Sequence, residues 1–196
     1  AIQKFGEYLH PDSPYSDPRV NTIIDDARAH IRKTKKKYDL IIYGYLDAHS
    51  LLTSKSGGVR LDSYVYTVEA FREARKRLKE NGIIQLSFTT MNPALGQKFY
   101  LMLKDAFDGK SPLAYKVGND KKTITGHTFV GGDFIQEPSD LPKDLYIDLS
   151  AQFESGQYYA DKSTDDWPFL YMPVKKYPST YLLMVFFLFI NSFCYK

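Results

Sequence analysis

A single cysteine, Cys194, stands in 196 residues. It allows no internal disulfide and fits a reducing compartment. The four histidines, His10, His30, His49 and His127, show no metal-ligand spacing and no Cys/His cluster exists, so no metal is expected. A glycine-rich phosphate loop is also missing, because the glycines at 57 and 58 neither follow a strand nor open a helix. Neither sign of charge is in excess: 26 basic against 23 acidic side chains leave +3. The basic runs at 32–37 and 72–80 read as a helix end and a mixed-sign helix face, so nucleic acid is not an expected partner. No internal repeat or low-complexity tract is present. What is plentiful is aromatic: 16 Tyr and 13 Phe bring that class to 15%, which reads as core and strand packing.

The length suits one domain, or one domain with an appendage. Residues 1–9 read as the end of an amphipathic helix, stopped by the proline-rich HPDSPYSDP. RVNTIID (19–25) predicts a short strand ending in two carboxylates, and DARAHIRKT a helix with an acidic start and a basic end. Tyr38 to Tyr43 is apolar apart from Asp39, as a central parallel strand covered on both faces would be. It runs into a Ser/Gly-rich loop over 44–62, and loops of that length in compact domains are usually functional. A helix follows, with Thr67 as cap, Phe71, Ala74 and Leu78 in helical spacing, and Gly82 as terminator. IIQLSF (83–88) is a second buried strand, and Pro93 to Phe107 a helix with Pro at its start. LAYKV and TITGHTFVG alternate enough to pair as an antiparallel edge, whereas 133–177 shows only weak periodicity. The class is α/β: the C-terminal half of a Rossmann-like sheet of parallel strands, completed by an antiparallel hairpin.

The last segment, YLLMVFFLFINSFCYK, carries no charge from Tyr181 to Tyr195 and no amphipathic period. Lys175 and Lys176 precede it, as cytoplasmic flanks precede a membrane helix. It is shorter than the roughly 20 residues a span needs, so it reads as a truncated transmembrane helix. The domain division is therefore 1–177 and 178–196, with the soluble domain on the cytoplasmic side of a cell membrane.

HPDSPYSDPRVNTIIDDARAHI, then YDLIIYGYLD, then YTVEAFREARKRLKENGIIQLSF together resemble the spermidine synthase-like (polyamine aminopropyltransferase) family over roughly residues 1 to 90. TDDWPFLYMP before an apolar helix is similar to that family's membrane-fused bacterial branch. The resemblance implies the S-adenosylmethionine-dependent methyltransferase fold. It also implies that a strand, the glycine-rich loop and a second strand with a ribose-binding acid come before Ala1. S-adenosylmethionine or its decarboxylated form would be the co-substrate, a polyamine-type amine the acceptor and the transmembrane region an attached partner; a homo-oligomer is compatible with it.

Carried over by position, Asp26 would contact the adenine amino group, with Asp25 and Ala27 lining the base. A carboxylate accepts exocyclic N–H donors, although acids also simply favour a helix start. In the family the strand at 38–43 is followed by an aspartate that helps deprotonate the attacking amine and, three residues later, by one that holds it. Here Gly44 takes the first position and Asp47 the second, so the usual base is absent. Asp47 or His49 can serve instead. Tyr64 and Tyr66 either pack over a ligand or belong to the core. Asp165, Asp166 and Trp167 read more as a structural clamp than as a binding site. Two functions follow: a transferase moving an aminopropyl or methyl group, or a degenerate domain that senses a nucleoside or polyamine for a membrane partner.

Overall fold

The apolar run at Tyr38–Gly44 forms a strand, β1, as expected. The computed structural model describes residues 12, 14–44, 61–90, 92–117, 126–136, 145–177 and 179–194, which fall into two units, Ala1–Thr34 and Lys35–Lys196. The expected helical end at 1–9 lies outside the described residues.

In the first unit the expected strand at 19–25 does not form. Val20, Ile23 and Ile24 are exposed in irregular chain. β-branched residues favour extended backbone, but a strand exists only where a neighbour completes its hydrogen bonds. The helix after it does form: α1, Ala27–Lys33, is capped by Asp26 and basic in its last turn.

The second unit continues with α2 (Val68–Arg75), β2 (Leu78–Thr89), α3 (Pro93–Ala106), β3 (Leu113–Val117), β4 (Gly126–Gly132), β5 (Tyr146–Asp148), α4 (Ser150–Glu154) and α5 (Ser179–Cys194). The strands form one sheet in the order β1-β2-β4-β3-β5. β1 and β2 are parallel, and the other neighbours are antiparallel. The expected hairpin is the β3–β4 pair, and β5 and α4 lie where the sequence shows little periodicity.

Two expectations for this region are corrected. Among the described residues β1 is an edge strand, not a central one, and Leu40 and Ile42 are 43% and 59% exposed. Its other face is covered, with the Tyr43 ring 5.2 Å from that of Phe71 on α2. The helix capped by Thr67 ends at Arg75 rather than at Gly82. Gly82 lies inside β2, where pairing jumps from Tyr38↔Leu78 to Leu40↔Ile83. A Cβ there would sit 2.8 Å from the Tyr38 carbonyl oxygen, so the glycine permits a close backbone approach at this irregularity.

The aromatic residues form the core as expected. Tyr66, Phe71, Phe88, Phe99 and Phe129 are all fully buried between the sheet and α2–α3. Phe88 and Phe99 are 4.8 Å apart, and Tyr66 meets each of them edge-on at 5.6 Å. Each such pair adds about 0.5–1.5 kcal/mol beyond the area it buries. By contrast, α5 exposes every residue from Tyr181 to Ile190. Its 16 residues extend about 24 Å at 1.5 Å each, against a hydrocarbon thickness of roughly 30 Å. No helix among the described residues is long and apolar enough to cross a membrane.

Gly82→Ala is expected to lower unfolding stability by about 1–3 kcal/mol, because the new methyl meets backbone that cannot step aside. Urea denaturation checks this, and an unchanged midpoint would mean that the irregularity relaxes freely.

Candidate functional site at the carboxyl edge of the sheet

Parallel pairing brings the ends of β1 and β2 to one edge of the sheet, with Gly44 opposite Ser87. β4 runs the other way and begins there, placing Gly126 opposite Thr89 and His127 opposite Phe88. Ligands of open α/β sheets bind outside such carboxyl ends. Asp47 and His49, in the segment after Gly44, lie outside the described residues.

The chain returns through a 3-10 turn, Leu61–Val65, to the start of α2. Tyr64 is 36% exposed, whereas Tyr66 is fully buried against Tyr43, Phe88 and Phe99. The ligand-facing alternative for Tyr66 is therefore corrected to core packing: its ring is already enclosed by aromatic neighbours.

A strap from 161 to 173 closes over the start of α2. Thr67 Oγ1 donates to Asp165 Oδ1 at 2.8 Å and accepts from Ala70 N–H at 3.2 Å. The Asp165 N–H donates to Glu69 Oε2 at 3.0 Å, and Val68 N–H to the Ser163 carbonyl at 3.0 Å. Asp165 thus acts as the clamp. Lys98 of α3, 1% exposed, holds the strap from below by donating to the Phe169 carbonyl at 3.0 Å, to Ser163 Oγ at 3.4 Å and to the Met172 carbonyl. Burial lowers its pKa from 10.5 to about 8, with the charge of Lys175 acting in the same direction and Asp161 opposing. The strap also sets the Tyr171 ring 6.4 Å from that of Phe88, near the end of β2.

Polar groups fill the rest of the edge. Gln85 Nε2 donates to Ser87 Oγ at 3.3 Å, and Ser87 Oγ lies 3.5 Å from Thr128 Oγ1. Thr90 Oγ1 hydrogen-bonds His127 Nδ1, and the imidazole stacks on Phe129. The sequence reading missed Thr90, His127 and Lys98. The alternating polar positions of GHTFVG are the only hint of His127, and nothing marks Lys98 as buried.

In the first unit, Asp26 Oδ1 accepts from Ala29 N–H at 2.7 Å, which caps α1 directly before Ala27. Asp25 Oδ1 accepts from Asp26 N–H at 2.9 Å and its carboxylate lies 3.7 Å from Lys33 Nζ. The helix-start role is therefore real for Asp26, whose carboxylate has further acceptor capacity, whereas Asp25 bonds the cap residue and Lys33.

Among the described residues no three His, Cys, Asp or Glu side chains could hold a metal ion. Two shallow grooves, of about 630 and 500 Å³, lie around the carboxyl-terminal ends of α2 and α3. That is the opposite end of the sheet, and their charges are largely satisfied: Arg75 bonds Asp108 at 2.6 Å and Asp133 at 2.9 Å, and Lys110 bonds Asp133 at 2.8 Å. The carboxyl edge holds the polar groups Ser87, Thr90, His127 and Thr128 together with the strap contacts of Thr67, Glu69, Lys98 and Asp165.

The Spermine/spermidine synthase domain family model matches residues 1–106. A polyamine aminopropyltransferase of Buchnera aphidicola subsp. Acyrthosiphon pisum is 32% identical over 74 residues, 38% of this chain and 22% of that protein. A probable spermidine synthase from Corynebacterium glutamicum superposes with a TM-score of 0.55 at 17% identity, covering 76% of this chain and 55% of its own. The Thermotoga maritima spermidine synthase does so with a TM-score of 0.51 at 16% identity, covering 92% and 54%. The chain therefore spans about half the length of these two structures and matches about a fifth of the curated relative; the structural likeness concerns the fold.

An unfolded lysine keeps its proton up to about pH 10.5, while Lys98 in the fold loses it near 8. Between those values the unfolded chain binds more protons, so this residue's contribution makes stability rise with pH. Relative to Lys98→Met, the wild type is expected to gain stability between pH 8 and 10 in urea titrations. A flat difference would show that Lys98 titrates as an exposed lysine does.

Proposed function

The chain belongs to the spermine/spermidine synthase family, and from that membership we propose that it is the transferase domain of a spermidine synthase-like enzyme. It binds S-adenosylmethionine or its decarboxylated form and transfers an aminopropyl or methyl group to a small amine. The observation that carries this reading is the family match, because it spans Asp26, the segment after β1 and the α2–β2 unit behind it. Asp26 accepts from the adenine amino group with the carboxylate oxygen not used in capping, while Asp25 and Ala27 flank the base. Asp47 holds the acceptor amine, helped by His49, and Tyr64 at the rim packs on the ligand. The sulfonium is already an activated leaving group, so catalysis is mainly positioning and desolvation around it.

A second reading rests on Gly44. With no acid at that position, the domain is a nucleoside or polyamine sensor for a membrane-attached protein. The exposed apolar α5, preceded by exposed Lys175 and Lys176, supports placement at the cytoplasmic face of a membrane in either case. Turnover with mixed amine acceptors separates the two readings: product that disappears in Asp47→Asn counts against a sensor, and ligand binding without turnover counts against an enzyme.

Asp26→Asn is expected to weaken methylthioadenosine binding roughly ten- to a hundredfold, the worth of a charged hydrogen bond of about 1.5–3 kcal/mol. Stability should hold, because Asn caps a helix as well as Asp does. Calorimetry on the full-length protein checks both parts. Equal affinity in the variant would remove Asp26 from the site.

A further inference from the structure

An acceptor amine must be neutral to attack the carbon beside the sulfonium, and Gly44 offers nothing to take its proton. Near this edge, Asp165 and Glu69 are engaged in holding the strap. His127 is a different case. It stands on the strand next to β2, and β2 separates it from β1. Two strand spacings of about 4.8 Å put it on the order of 10 Å from Gly44, a distance comparable to the length of a linear diamine.

The histidine is oriented by two contacts, its hydrogen bond to Thr90 at the end of β2 and its stack on Phe129 at 6.4 Å and 20°. The Thr90 contact is compatible with either tautomer; where Thr90 Oγ1 accepts the Nδ1 proton, Nε2 carries the lone pair. Burial lowers the pKa of the ring, and the charge of Lys116, its cross-strand partner on β3, adds to this. The imidazole is thus neutral at neutral pH and able to accept a proton.

We infer that His127, held in one tautomer by Thr90, is the proton acceptor for the acceptor amine, a role that rests on the transferase reading. The acceptor's ammonium gives one proton to Nε2 and becomes an amine. Its lone pair forms the new N–C bond while the C–S electron pair passes to sulfur, leaving a neutral thioether. The imidazolium then returns its proton to water. Thr90 is a positioning residue.

The test uses full-length protein, decarboxylated S-adenosylmethionine and 1,4-diaminobutane. In His127→Asn, kcat/KM should fall about 10²- to 10³-fold and the acidic limb of its pH profile should disappear, while calorimetric affinity for methylthioadenosine stays as in the wild type. Thr90→Val should lower kcat several-fold and displace that limb, whereas Thr90→Ser should restore it. In the wild type, adding the diamine to the methylthioadenosine complex should shift the His127 ε1 proton resonance. That titration is informative even if a variant misfolds. An active wild type whose His127→Asn variant keeps its rate and acidic limb, or an ε1 resonance blind to diamine, overturns the inference and leaves the transferase reading standing. A wild type that binds no methylthioadenosine and turns over no amine overturns both.

Discussion

The parallel pairing of β1 with β2 is the constraint on which the rest depends. It brings two chain ends separated by some forty residues to one edge, Gly44 beside Ser87. Everything that gives this edge chemistry is then placed by elements packed on those two strands. α2 and α3 lie on one face because Phe71, Phe99 and Tyr66 must be buried against Tyr43 and Phe88. Their N-termini consequently stand over the carboxyl edge, where Thr67 and Lys98 reach the strap. Packing, which is non-directional, thus sets the layer; a few hydrogen bonds set the rim.

The two titratable groups in this arrangement, Lys98 and His127, are handled differently. Lys98 is buried and satisfied by carbonyl and hydroxyl oxygens, with the fold favouring its neutral form. His127 is half-buried, stacked on Phe129 and hydrogen-bonded through Nδ1 to Thr90. The first arrangement fixes chain, and the second holds a titratable ring beside a hydroxyl at the carboxyl edge. That contrast explains why one group is assigned to structure and the other to chemistry.

Local signals in the sequence are reproduced closely. Thr67, Asp26 and Pro93 start helices because capping is decided within four residues. β1, β2 and the β3–β4 hairpin follow from apolar runs and alternation. Non-local features are less legible. Val20, Ile23 and Ile24 look like a strand, but strand formation depends on a neighbour. Gly82 looks like a helix stop, yet its glycine is required by a carbonyl forty-four residues earlier in the chain. Tyr66 was ambiguous because an aromatic residue after a loop suits a ligand and a core equally. Of the candidate site, Asp25 and Asp26 are singled out by the family resemblance, their helix-start position alone pointing only to capping, while Thr90 and His127 meet only after the sheet is built.

The central claim is that a nucleoside-type ligand is bound at the carboxyl edge of β1 and β2. Amide hydrogen exchange on the full-length protein, with and without methylthioadenosine, tests it most directly. The account expects slower exchange at 41–44, 87–90, 126–128 and 163–167, with the amides around Asp108 and Asp133 unchanged. Protection confined to the groove between the ends of α2 and α3, with the carboxyl edge unaffected, would contradict it.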